Sequence, residues 1–123
     1  MLDIFKSASH KQRWLSAIRE MGKYDGDKAD PEYGAALFVL TADPETWERT
    51  QEYVKRDGID FDGMLEREDW SGGYQVLIRC AANLFNGTQQ VGPVELLRLD
   101  ESNFILAFAA LQVRRYGLRL ERL

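Results

Sequence analysis

The side chains best suited to chemistry in this chain are a single histidine, a single cysteine and two groups of acidic residues. His10 is the only side chain whose ordinary pKa lies near neutrality, so acid–base catalysis would be expected to use it. It lies between Ser9 and Lys11, in the first turn of a predicted helix, where we expect a solvated or capping histidine. Cys80 lies beside the apolar stripe of another predicted helix, where a cysteine behaves as a small hydrophobe, and we expect an unreactive thiol there.

Two acidic loops are the candidates for cation binding. They contain Asp25, Asp27, Asp30 and Glu32 in the first loop, and Asp57, Asp60 and Asp62 in the second. Clustered carboxylates suit hard cations, but neither loop has the spacing of a calcium loop, and Asp30 and Asp60 stand where helix N-caps are expected. We therefore predict no metal site and no cofactor. The alternative is a metal-assisted or carboxylate enzyme that uses Asp25, Asp27, Asp57 or Asp62, with or without His10.

Composition and charge limit the remaining classes. The chain has 123 residues, of which 45% are hydrophobic and 29% charged, and this predicts one globular domain. No apolar run approaches the roughly 20 residues that span a bilayer, and the first residues lack the features of a secretory signal, so we expect a cytoplasmic protein without membrane contact. The net charge is −4, which argues against nucleic-acid binding.

Start and stop signals predict six or seven helices. Serine or aspartate caps, prolines at first helical positions and terminal glycines bound segments 7–22, 30–41, 43–58, 71–87, 93–97 and 100–117, with a further short turn after Gly58. Segment 23–30 is predicted as a loop, and the tail 118–123 as either a strand or a helical turn. The run from Phe104 to Leu111 is apolar throughout and should be buried on nearly every side. The sequence therefore predicts an all-α, single-domain bundle around a central, buried C-terminal helix.

Two surfaces are candidates for contact with a protein partner. The predicted helix from Glu45 to Arg56 is polar except for a narrow stripe that includes Trp47, and a partly exposed tryptophan is typical of a contact surface. Four arginines against one glutamate give the last ten residues a net charge of +3, which suits an acidic patch on a partner or on a second copy. The candidate partner-binding residues are Trp47, Glu48, Glu52, Arg114, Arg115, Arg119 and Arg122.

Three patches of sequence stand out together: Phe5-x-Ser7-x-x-His10, the helix end Asn83 to Gly87, and Leu99-Asp100-x-x-Asn103-Phe104 with the later Arg114-Arg115. With these patches the chain resembles a family of uncharacterised small bacterial proteins that are often carried on phages and other mobile elements. The resemblance implies no known activity and no catalytic residues. Small proteins from such settings often bind another protein as inhibitors or adaptors, so the resemblance favours a binding protein over an enzyme.

The function predicted from the sequence is a non-enzymatic protein–protein interaction module, such as a regulator or inhibitor encoded by a mobile element. Besides the enzyme, a second alternative is a structural component of a larger assembly, whose partner would be further copies of itself. Self-association is also expected if one copy cannot cover Leu118, Leu120 and Leu123.

Overall fold

The computed structural model describes residues 4–122, except for the side chain of Arg122, and within that range it is built almost entirely from helices. The α-helices are α1 (Ala8–Met21), α2 (Pro31–Leu40), α3 (Pro44–Thr50), α4 (Phe61–Arg67), α5 (Gly72–Asn86), α6 (Pro93–Leu97) and α7 (Glu101–Tyr116). Short 3-10 turns cover Gln51–Tyr53 and Leu120–Arg122. The all-α fold and the number of helices predicted from the sequence are confirmed.

Most helices begin and end where the capping signals predict, and α3 is the exception. The side chains of Ser7, Asp30, Asp60 and Asp100 each accept a hydrogen bond from the backbone N–H three residues later, at 2.8–3.0 Å. Such bonds satisfy donors that the first turn of a helix otherwise leaves unpaired. At the other end of α5, Gly87 has a φ of 75°, the left-handed conformation that favours glycine. These local signals therefore fix most helix boundaries.

The centre of the fold is α2 rather than the C-terminal helix. All eight residues from Tyr33 to Leu40 are buried, and α2 packs against α1, α5 and α7. Three small residues, Gly34, Ala35 and Ala36, let the neighbouring helices come close on several sides. The prediction that segment 104–111 is buried on nearly every side is wrong, because Ile105, Phe108 and Leu111 are exposed.

Two short hairpins replace structure that the sequence predicted as a loop and as a helix. Strands β1 (Tyr24–Asp25) and β2 (Lys28–Ala29) pair in the segment predicted as a loop. Strands β3 (Val54–Lys55) and β4 (Gly58–Ile59) pair where the predicted helix to Arg56 was expected to continue. That helix ends at Thr50, since the chain turns back before Gly58 and buries Val54 and Ile59. Strands of two residues are too short to show an alternating pattern.

Residues 118–120 of the tail pair with the outer edge of the first hairpin, beside β2. The backbone N–H of Ala29 donates to the carbonyl of Leu118 at 3.0 Å, and the N–H of Leu120 donates to the carbonyl of Asp27 at 2.6 Å. The backbones of Arg119 and Lys28 pair between these bonds as an isolated antiparallel β-bridge, and a 3-10 turn follows at Leu120–Arg122. The tail thus combines both predicted conformations, and Leu118 is buried. Leu123 lies outside the described residues.

Candidate functional site

His10 is a buried structural residue, so the prediction of a solvated or capping histidine is wrong: its side chain is enclosed, and Ser7 is the N-cap of α1. The backbone N–H of Lys6 donates to Nδ1 at 3.0 Å, so Nε2 carries the proton and donates to the carbonyl of Phe38 at 2.7 Å. The rings of Phe5 and Phe38 lie 5.1 and 4.7 Å from the imidazole. Burial lowers the pKa of His10 to about 4. The imidazole is therefore neutral at pH 7 and joins the start of α1 to α2.

Cys80 lies on the buried side of α5, and burial raises the pKa of its thiol to about 11. A thiol with this pKa holds almost no thiolate near neutral pH, and the thiolate is the nucleophilic form. The position of Cys80 thus agrees with the inert, apolar role expected from the sequence.

Several carboxylates of the two acidic loops already form structural contacts. Asp27 pairs with Arg119 at 3.1 Å, and this interaction lowers the pKa of the Asp27 carboxyl. Asp30 and Asp60 cap α2 and α4. Within residues 4–122, no three histidine, cysteine, aspartate or glutamate side chains are close enough together to hold a metal ion. The enzyme alternative that uses Asp25, Asp27, Asp57 or Asp62 gains no assembled site from this arrangement.

The α3 candidates differ in exposure. Trp47 is half-buried and packs against the core, whereas Glu48 and Glu52 are exposed on the outside of α3 and the following 3-10 turn. Nearby, the guanidinium of Arg49 lies 3.9 Å from the centre of the Trp70 ring and pairs with Glu68. The tryptophan of this helix therefore contributes to the interior, and a partner would meet mainly carboxylates.

The tail arginines also have roles inside the fold. Arg114 donates from Nε to the carbonyl of Leu84 at 2.8 Å, which satisfies an acceptor in the last turn of α5. Arg119 pairs with Asp27, and Arg115 is exposed beside Tyr116. The side chain of Arg122 lies outside the described residues. A binding role for the α3 and tail candidates stays a prediction, but Arg114 and Arg119 already have structural partners.

Most of the large apolar side chains that are exposed within residues 4–122 lie on α7. We define the α7 face as the outward side of this helix, formed by Phe104, Ile105, Phe108, Leu111 and Tyr116, together with the polar residues Glu101, Gln112 and Arg115. Ile105 and Phe108 are 57% and 54% exposed, and Tyr116 is 74% exposed. The opposite side of α7, which includes Leu106, Ala110 and Val113, is buried in the fold. The helix is therefore apolar on both sides, but only one side is covered.

A groove runs along one edge of the α7 face. It has a volume of about 600 Å³ and lies between residues 4–6 and the side chains of Ile105, Phe108 and Gln112. Helix α6 contacts α7 and carries two further exposed apolar side chains, Val94 and Leu97. The α7 face is thus a long apolar helix surface with an apolar groove at its edge.

Opposite charges stand near the two ends of the α7 face. Glu101 lies in the first turn of α7 and Arg115 in the last, which matches the dipole of the helix at each end. Neither side chain forms an ion pair with another residue in the described part of the chain. Both charges are therefore exposed and available to a partner.

Sequence reasoning missed this surface because it took apolar character on all sides as evidence of burial. A signal was present in the positions of the polar residues. Glu101, Gln112 and Arg115 fall on one side of a helix with 3.6 residues per turn, together with Phe104 and Phe108. Charged residues on one side of a helix indicate that this side faces water.

Comparisons with protein-family models, curated proteins and solved structures give no match for this chain. Across residues 4–122, every helix is too short or too polar to cross a membrane.

Proposed function

We propose that this chain is a protein–protein interaction module whose contact surface is the α7 face. The proposal keeps the wider role expected from the sequence, that of a cytoplasmic regulator or inhibitor encoded by a mobile element. Binding rather than catalysis is supported by the chemistry of the interior, where the histidine is neutral and enclosed and the cysteine is buried.

The observation that carries the proposal is the exposure of large apolar side chains along α7. Removing apolar surface from water is worth roughly 25 cal/mol per Å², so a partner that covers Ile105, Phe108 and Tyr116 gains a favourable contact. Scattered exposed apolar residues are common, but a contiguous patch along one helix marks a contact site. The aromatic residues Phe108 and Tyr116 are of the types enriched at the centres of interfaces.

Affinity capture with matched baits tests the proposal. The baits are the wild-type chain, Phe108→Glu and Tyr24→Glu, each tagged and expressed in the host. Phe108→Glu places a carboxylate in the middle of the α7 face. Tyr24→Glu makes the same kind of change at an exposed aromatic residue of the first hairpin, outside the face. We expect wild type and Tyr24→Glu to retain the same partner, and Phe108→Glu to lose it.

The captured partner must then be identified and the binding repeated with purified components. We expect Phe108→Glu to weaken the purified complex by about 100-fold, since it buries an unpaired charge at the centre of the contact. Equal binding by Phe108→Glu and wild type, for every partner recovered, would contradict the assignment of the α7 face. Circular dichroism of all three baits checks that each is folded.

A further inference from the structure

We infer that the α7 face binds the α7 face of a second copy of this chain, with the two helices antiparallel and a two-fold axis beside Phe108. This inference rests on the proposed function and names the partner of the same surface. It follows from three features of α7: the spacing of the residues on its outward side, the positions of its two outward charges, and its length.

The spacing of the residues along the middle of the α7 face suits a helix–helix seam. Glu101, Phe104, Phe108, Leu111 and Arg115 recur at intervals of three, four, three and four residues. This is the seven-residue repeat with which two helices keep one stripe facing each other. Phe104 and Phe108 stack with their ring centres 6.3 Å apart, which forms an aromatic ridge along the stripe.

The charges select the antiparallel direction. Phe108 lies seven residues from Glu101 and seven residues from Arg115. A two-fold axis at Phe108 therefore places Glu101 of each copy opposite Arg115 of the other, and Phe108 opposite its own counterpart. A parallel pair would instead oppose Glu101 to Glu101 and Arg115 to Arg115, which is repulsive at both ends.

The α7 face is complementary to itself when two copies are related by a two-fold axis. In a two-fold interface the same patch is used by both chains, so each attractive contact occurs twice. Because Ile105 and Leu111 lie on opposite flanks of Phe108, the two copies of Ile105 then share one flank of the seam and the two copies of Leu111 share the other. A foreign partner would have to supply an apolar stripe with the reversed order of charges, whereas α7 itself already has one.

The length of the surface sets the expected strength. α7 has 16 residues, so the seam is about 24 Å long. One helix face is small beside the roughly 800 Å² per partner of a standard interface, and we expect a dimer that forms in the micromolar range. The association must therefore be measured over a wide range of chain concentration.

Sedimentation velocity on purified chains tests the inference. We expect wild type to pass from monomer to dimer as concentration rises, and Phe108→Glu to stay monomeric. Glu101→Arg and Arg115→Glu each replace two attractive contacts with two repulsive ones, and each should weaken the dimer at least about fivefold at low salt. The double variant Glu101→Arg/Arg115→Glu restores opposite charges across the axis and should recover dimerisation. These side chains are exposed, so the folded chain tolerates all four changes.

A mixture of the two single variants tests the pairing of the charges more stringently. Each alone opposes like charges, but a mixed pair of Glu101→Arg with Arg115→Glu places every positive charge opposite a negative one. We expect the equimolar mixture to dimerise more tightly than either component alone. The advantage should shrink at high salt, since exposed charges are screened there.

Three outcomes would overturn the inference: a wild-type chain that is monomeric at the highest concentration, assemblies larger than two, or a dimer unaffected by both Phe108→Glu and the charge changes. A dimer that needs Phe108 but ignores the charges would overturn the antiparallel register. If the chain is monomeric but its α7 face still binds another identified protein, self-association is refuted and the proposed function stands.

Discussion

Helices α2 and α7 are both strongly apolar, yet they occupy opposite positions in the molecule. Every residue of α2 from Tyr33 to Leu40 is buried, whereas α7 buries only Leu106, Ala107, Ala109, Ala110 and Val113 and leaves Ile105 and Phe108 in contact with water. Helix α2 is short and carries no charge after its first turn. Helix α7 is longer and carries Glu101, Arg114 and Arg115.

The difference shows that apolar residues in a helix serve two purposes. In α2 the small residues Gly34, Ala35 and Ala36 let three helices approach, and the large residues that follow fill the interior. In α7 the small residues Ala107, Ala109 and Ala110 are buried in the fold, and the large residues Ile105 and Phe108 are exposed. The outward side of α7 is therefore distinguished by its polar residues, Glu101, Gln112 and Arg115, and by its aromatic residues, whereas the buried residues of α7 are all aliphatic.

Truncating one leucine or isoleucine in each helix gives the largest expected contrast. Leu37→Ala in α2 should lower the free energy of unfolding by about 3 kcal/mol, because it leaves a cavity in a filled interior. Ile105→Ala in α7 should change it by less than about 0.5 kcal/mol, since the side chain is exposed. Urea unfolding of dilute protein measures both values. Similar losses for the two variants would contradict the distinction between the helices.

The second contrast concerns the pH dependence of stability. It depends on His10, whose side chain is hydrogen-bonded to α2. The pKa of His10 is about 4 in the folded chain and about 6.5 when unfolded, so the unfolded chain binds more protons between these values. The contribution to stability is fully present above pH 6.5 and is lost as the pH falls to 4. It amounts to about 3 kcal/mol across that window.

Comparison with His10→Asn isolates this contribution from the carboxylates that titrate in the same range. We expect the stability of the variant to fall less steeply between pH 6.5 and 4 than that of wild type. Parallel curves for the two proteins would show that His10 is not kept neutral by the fold.

The third and smallest contrast compares two adjacent arginines of α7. Arg114→Ala should cost about 1–2 kcal/mol of stability, because it removes a charged donor from the carbonyl of Leu84. Arg115→Ala should leave stability nearly unchanged and weaken self-association instead, since Arg115 faces away from the fold. Thermal unfolding and sedimentation of both variants measure the two effects. Equal effects on stability would place both side chains in the same environment.

Much of the fold was predictable because helix ends depend on local chemistry. Asp30-Pro31, Asp100 and the Asn86-Gly87 end all mark real boundaries. The environment of His10 was not predictable from its neighbours in sequence, because its partner Phe38 lies 28 residues away. The same holds for Arg114 and Arg119, whose partners are the carbonyl of Leu84 and the carboxylate of Asp27. Contacts of this kind depend on how helices pack, and neither composition nor periodicity contains that information.

The most direct test of the open α7 face is thiol labelling of Ile105→Cys, with Cys80 as the internal control. In dilute solution we predict rapid labelling at position 105 and very slow labelling at Cys80, which is buried. Labelling at position 105 should slow as the chain is concentrated and the face is covered. Equal protection of both thiols in dilute solution would show that the α7 face is closed within a single chain, and would contradict the account.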